Sequence, residues 1–134
     1  MNLLLLASAL LGFASAIGHA YLGERFVLAP LFKAPGDNRV LKTATSRRLI
    51  RWVWHLPSFA WAQIAGATLW LALDPAAMGE RAQTLLLFLG VGVYMTGAVF
   101  NAWAMRGPHV GNILLTLASL ALWFAITGGS RPFD

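Results

Sequence analysis

The chain contains no cysteine, which excludes disulfides, thiolate metal ligands and cysteine nucleophiles together. Charge is nearly as scarce. Aspartate, glutamate, lysine and arginine make up 11% of the 134 residues, where soluble domains carry about a quarter. None of these charges falls in the middle of a long apolar run. Proton- or ion-coupled transport depends on such a costly, retained intramembrane group, so that class recedes. Also missing are HExxH, Cys-x-x-Cys-His and any glycine-rich phosphate loop, and with them the metalloprotease, c-type haem and nucleotide-binding signatures. No nucleophile–base pair is visible.

What is present is apolar. Hydrophobic residues make up 58% of the chain and mean hydropathy is +0.66. At this length the chain is a single unit without room for a separate soluble domain. Four runs at about 3–22, 49–73, 84–105 and 110–127 are long enough to cross a bilayer, since roughly 20 residues at 1.5 Å each span the hydrocarbon. Only Arg51, near the start of the second, interrupts them. Lipid leaves backbone groups no outside partner, so all four are expected to be helical. The expected fold class is all-α, a four-transmembrane-helix bundle. Thr45 and Ser46 are N-cap types before the second span and Asp74-Pro75 ends it. Pro108 fits the first turn of the fourth, and Gly128-Gly129 closes it.

Net charge is +5 and the pI near 10.8, but the cations are local and belong to topology, not to nucleic acid. Four passes place both termini on one side, together with the 73–83 loop. The 23–48 loop and the 105–109 turn lie on the other, with Arg25, Lys33, Arg39, Lys42, Arg47, Arg48, Arg51 and Arg106. The termini and the 73–83 loop hold only Arg81 and Arg131, so the count is eight cations against two. That asymmetry predicts a cytoplasmic 23–48 loop and both termini on the outer, periplasmic face of a bacterial inner membrane.

Ala14-Ser15-Ala16 offers a competing reading, a small-x-small signal-peptide cleavage site. No lysine or arginine precedes the run, and it continues past the site to Leu22. A retained first span is the expectation. Within the connection, the apolar stretch from Arg25 to Phe32 is too short to span and is expected in the interface or dipping into the bundle. Lys33 to Ser46, with Pro35-Gly36-Asp37-Asn38, is a polar, turn-rich loop that could dock a partner or anionic lipid head groups; a solvated linker whose cations set orientation is the favoured reading.

Each helix has a face of small and weakly polar residues three or four apart. They are Ser8, Gly12, Ser15 and His19; His55, Ser58, Ala62 and Gly66, with Gln63 nearby; Gly90, Tyr94, Gly97 and Asn101; and His109, Asn112, Thr116, Ser119 and Trp123. Such stripes let membrane helices approach closely and hydrogen-bond. Pro57 cannot donate to the Val53 carbonyl, so a bend is expected beside His55. Trp52, Trp54 and Trp103 mark one interface, Trp70 and Trp123 the other, and Trp61 lies deeper.

Three of the four spans carry one histidine each, His19, His55 and His109, all at the same end. Glu24 follows His19 by five residues. Three imidazoles and a carboxylate are a sensible zinc or iron ligand set, and two imidazoles on facing helices suit haem. The candidate metal residues are therefore His19, His55, His109 and Glu24, with a metal ion or haem as the corresponding cofactor. Against this, the spacing follows no ligand motif, and an interface is where histidine, tryptophan and arginine belong anyway. The interfacial reading is ahead.

The run His19-Ala-Tyr-Leu-Gly-Glu24-Arg25 through Phe32, followed by Arg51-Trp-Val-Trp54-His55-Leu-Pro-Ser58 through Trp61, resembles a group of small bacterial four-span membrane proteins without an assigned activity. The resemblance implies an inner-membrane four-helix protein and carries no catalytic residues. The functional expectation is contact, with membrane lipids and with another membrane protein or further copies of the chain. An accessory or scaffolding subunit would act in this way. The alternative is a metal- or haem-binding redox protein built on the histidines.

Overall fold

A computed structural model of the chain describes residues 2–128. Its order is α1 (Leu3–Gly23), a π-helical turn (Glu24–Leu28), α2 (Ala29–Lys33), α3 (Arg39–Lys42), α4 (Ala44–Leu73), α5 (Glu80–Met105) and α6 (Val110–Thr127). Among the described residues there is no strand. Four helical runs are long and apolar enough to cross a membrane: Leu3–Lys33, α4, α5 and α6.

The first run differs from the sequence reading. The apolar stretch after Gly23 is no separate interfacial segment, because the helix continues through it to Lys33. The continuation is not regular. The Ala29 N–H reaches back five residues to the Glu24 carbonyl, which widens the helix for one turn. Pro30 supplies a cause. It has no N–H to give, and its ring crowds the carbonyl four residues earlier. The α4 start also moves: Thr43, not Thr45 or Ser46, caps it by accepting the Ser46 N–H at 3.2 Å. Pro57 lies inside α4, and Asp74 ends that helix as expected. At α6 the cap is His109, with Pro108 before it. Gly128 closes that helix, while Gly129 and Arg131 lie outside the described residues.

The helices pack as a ring in the order α4, α1, α6, α5, and the closing pair, α4 and α5, touches sparingly. The interior is a leucine and alanine core, with Leu5, Leu71, Leu87, Leu115 and Leu122 fully buried, that also takes in small polar groups. Ser8, Ser15, Ser58, Thr68, Gln83, Asn112 and Ser119 are all buried. The outside is apolar too, with Trp103 79% and Leu3 70% exposed. An apolar exterior suits a lipid surround, where apolar burial gives no drive to helix association and close packing must supply it.

One side-chain hydrogen bond crosses each side of the ring. Ser8 Oγ donates to the Ala118 carbonyl at 2.9 Å, and Ser119 Oγ to the Val91 carbonyl at 3.1 Å. Tyr94 donates its hydroxyl to the Trp61 carbonyl at 3.3 Å. His19 Nδ1 meets Ser58 Oγ at 2.9 Å. Such bonds average only about 0.6 kcal/mol in a membrane, so their main effect is to fix rotation about each helix axis. The α1 and α5 stripes hold at their centres, and the α6 stripe holds through Asn112 and Ser119. At its far end Trp123 turns outward and meets Phe88 edge-on at 6.3 Å. The α4 stripe keeps only Ser58 buried. Gln63, grouped with the α4 stripe, is exposed, and the buried α4 face runs through Ser58, Trp61, Ala65, Thr68 and Ala72.

Candidate functional site

The residues singled out in the sequence fall into three separate arrangements. His19, near the end of α1, lies in an aromatic clamp. Its ring stacks on Trp54 at 5.3 Å, with planes 11° apart, and meets Trp61 edge-on at 5.1 Å. With Nδ1 engaged by Ser58, its orientation is fixed on three sides by α4.

Glu24 and His55 belong to a second group. Glu24 faces Arg51 of α4, with Nη2 at 2.9 Å from Oε1 and Nε at 3.1 Å from Oε2, a two-pronged arrangement. His55 Nε2 lies 3.5 Å from Glu24 Oε2. Arg51 also lies over the Phe32 ring at 5.3 Å. The pair is half-exposed, so it contributes on the order of 0–1 kcal/mol. Its geometric role is to clip the π turn to α4.

His109 forms the third arrangement, and it is structural. Its Nδ1 accepts the Gly111 N–H at 3.2 Å, while its own N–H donates to Asn112 Oδ1 at 2.9 Å. This is a reciprocal cap on α6. Replacing His109 by alanine should cost about 1 kcal/mol of stability, the usual cost of losing an N-cap. His109→Asn, which keeps an accepting side chain, should restore most of it. Thermal unfolding of the three proteins in detergent measures the difference.

The structure therefore brings Glu24 and His55 together and gives His19 and His109 other partners. Among the described residues no three histidine, aspartate or glutamate side chains gather in a metal-ligand set. Sequence reading missed Arg51 as the carboxylate's partner, although its position as the lone cation in a span was a signal. It also missed the Trp54–His19–Trp61 clamp, for which a sequence offers no spacing rule across helices.

His19 and His109 do share a cavity. Where α4 and α5 part, a lateral groove of about 920 Å³ opens against the end of α1. Gly92, Thr96, Gly97, Phe100 and Asn101 form its α5 wall, with Trp54, Pro57 and Trp61 opposite. No aspartate, glutamate, lysine or arginine lines it. Gly92 and Thr96 are exposed, so the groove opens sideways, as the bilayer would meet it. The Trp54 Nε1 is buried without a hydrogen-bond partner, packed against Gly23.

No family model, no curated protein and no solved structure matches this chain. The site is therefore read from its own chemistry.

Proposed function

We propose that this is a multi-pass protein of the bacterial inner membrane that acts by contact, as an accessory or scaffolding subunit, with the α4–α5 groove as its contact surface. The observation that carries the reading is the gap itself. Three sides of the ring are closely packed, while α4 and α5 diverge and leave an apolar recess facing outward. Ser8, Tyr94 and Ser119 inside the bundle are occupied in holding helices to one another. The groove lies at the end that carries the cation-rich connection, which the charge asymmetry assigns to the cytoplasm, with both termini outside.

The absence of cysteine makes single-cysteine variants clean probes. Gly92 and Gly18 both have open space where a side chain would grow, but only Gly92 lines the groove. A photo-reactive maleimide on Gly92→Cys, activated in native membranes, should give discrete adducts with a membrane component. The same reagent on Gly18→Cys should give only diffuse lipid labelling. Identical adduct patterns from the two positions would sink the contact reading. In the same panel, Asp37→Cys should react with a membrane-impermeant maleimide only after the cells are lysed, and Ala77→Cys in intact cells. The reverse order would overturn the orientation.

A further inference from the structure

The polar end of the groove has a chemistry that narrows its occupant. We propose that the groove binds a membrane quinone, with the ring at the His19–Asn101–His109 end and the prenyl tail along Gly92 and Leu89. This rests on reading the groove as the contact surface and names what fills it.

The argument begins with hydrogen bonds. Because His109 Nδ1 accepts a backbone N–H, the neutral ring carries its proton on Nε2, which is left as a free donor. With the Ser58 hydroxyl donating to Nδ1, His19 carries its proton on Nε2, which has no partner among the described residues. The Asn101 side chain lines the groove and makes no hydrogen bond to any described residue. Imidazole and amide N–H groups thus arrive from α1, from α5 and from the α6 cap. They suit a head group with acceptors on opposite sides of a ring.

Charge then discriminates among lipids. A phosphate head calls for lysine or arginine, and no cation lines this groove. Arg51, three residues before Trp54 on α4, is already paired with Glu24. An uncharged head with carbonyl oxygens satisfies the donors without an unpaired charge. The aromatic walls complete the match. Trp54, Trp61, Phe26 and Phe100 flank the polar end and offer faces for stacking a planar ring. The cavity of about 920 Å³ lies within the range of roughly 300–1,000 Å³ that takes a drug-sized ligand. It holds the ring and the first isoprene units, and the rest of the tail leaves through the open side into lipid.

Titration of the purified full chain with decylubiquinone, read by tryptophan fluorescence, tests this. Quenching should saturate at one quinone per chain, because Trp54 and Trp61 lie beside the ring position. Gly92→Phe, which fills the groove from a position with free space, should weaken binding at least about tenfold, as should Asn101→Leu by leaving a carbonyl unpaired. Gly18→Phe should bind as the parent does. Decylbenzene, which has the tail and no carbonyls, and dioleoylphosphatidylglycerol should both fail to displace the quinone. Quenching that rises linearly without saturation, or is unchanged in Gly92→Phe, would overturn the proposal. So would equal displacement by decylbenzene, which would make the groove a slot for tails alone, or displacement by the phospholipid, which would assign it to an anionic head. If Gly92→Cys still gives a discrete adduct while decylubiquinone does not bind, the contact surface stands and only its occupant is wrong.

Discussion

Replacing Trp61 by alanine is expected to cost the bundle about 3–5 kcal/mol, the range for removing a large buried aromatic side chain. Trp61 is 5% exposed and is the main wedge where α4 meets α5. Its indole packs directly over Gly97, so closely that a Cβ there would lie 2.7 Å from the ring. On its other side it meets the His19 ring edge-on. Removing it empties a close contact between α4 and α5, over Gly97, and frees one wall of the histidine clamp. Unfolding by titration with sodium dodecyl sulfate, followed by circular dichroism, should show the midpoint falling well below that of the parent. Trp70→Ala, at an exposed site, serves as the control and should move it little. Equal midpoints for the two variants would mean that Trp61 is not a structural wedge.

The second large effect concerns Gly12. A Cβ at Gly12 would run into the Tyr94 hydroxyl, and it would lie 3.1 Å from the Ala65 Cβ. Tyr94 is fully buried and is held by its bond to the Trp61 carbonyl, so it cannot swing aside. Gly12→Ala should therefore destabilise by about 2–3 kcal/mol through overpacking. Tyr94→Phe alone should cost about 0.6 kcal/mol, the mean for an interhelical hydrogen bond in a membrane. The informative variant is the double one. With the hydroxyl gone, part of the room for the new methyl returns, so Gly12→Ala/Tyr94→Phe should cost less than the sum of the two. Strict additivity would show that Gly12 and Tyr94 do not meet.

These two positions also show what the sequence made legible. Gly12 and Tyr94 were visible as members of small-residue stripes, because steps of three and four mark one helix face. That they face each other across the ring was not visible, since no spacing within a helix states which neighbour a stripe will meet. The four spans were legible because hydrocarbon thickness fixes the length of an apolar run. Their ends were less so. The first span was expected to close near Leu22, yet the helix runs to Lys33, because glycine at position 23 permits a stop without compelling one. Histidine position was readable, and histidine partnership was not. His109 as a helix cap follows from backbone donors that any short acceptor can satisfy, and that competes silently with a ligand role. The groove was the least legible feature of all. It arises from what α4 and α5 fail to do, and a missing contact leaves no mark in composition or period.

The π turn at Glu24–Leu28 sets the rotation of everything that follows it. A π turn is an α-helix holding one residue too many, so it is the form that a single-codon insertion takes when a helix absorbs it. Deleting one residue from this turn would rewind it to α geometry and rotate the flanking segments relative to each other by about 100°, the angle one helical residue subtends. The first span and the ring of four helices would stay in place. Phe26 and Val27, which line the groove from this turn, would shift, and Phe32 would swing away from Arg51. One residue in the π turn therefore sets the shape of the groove's mouth.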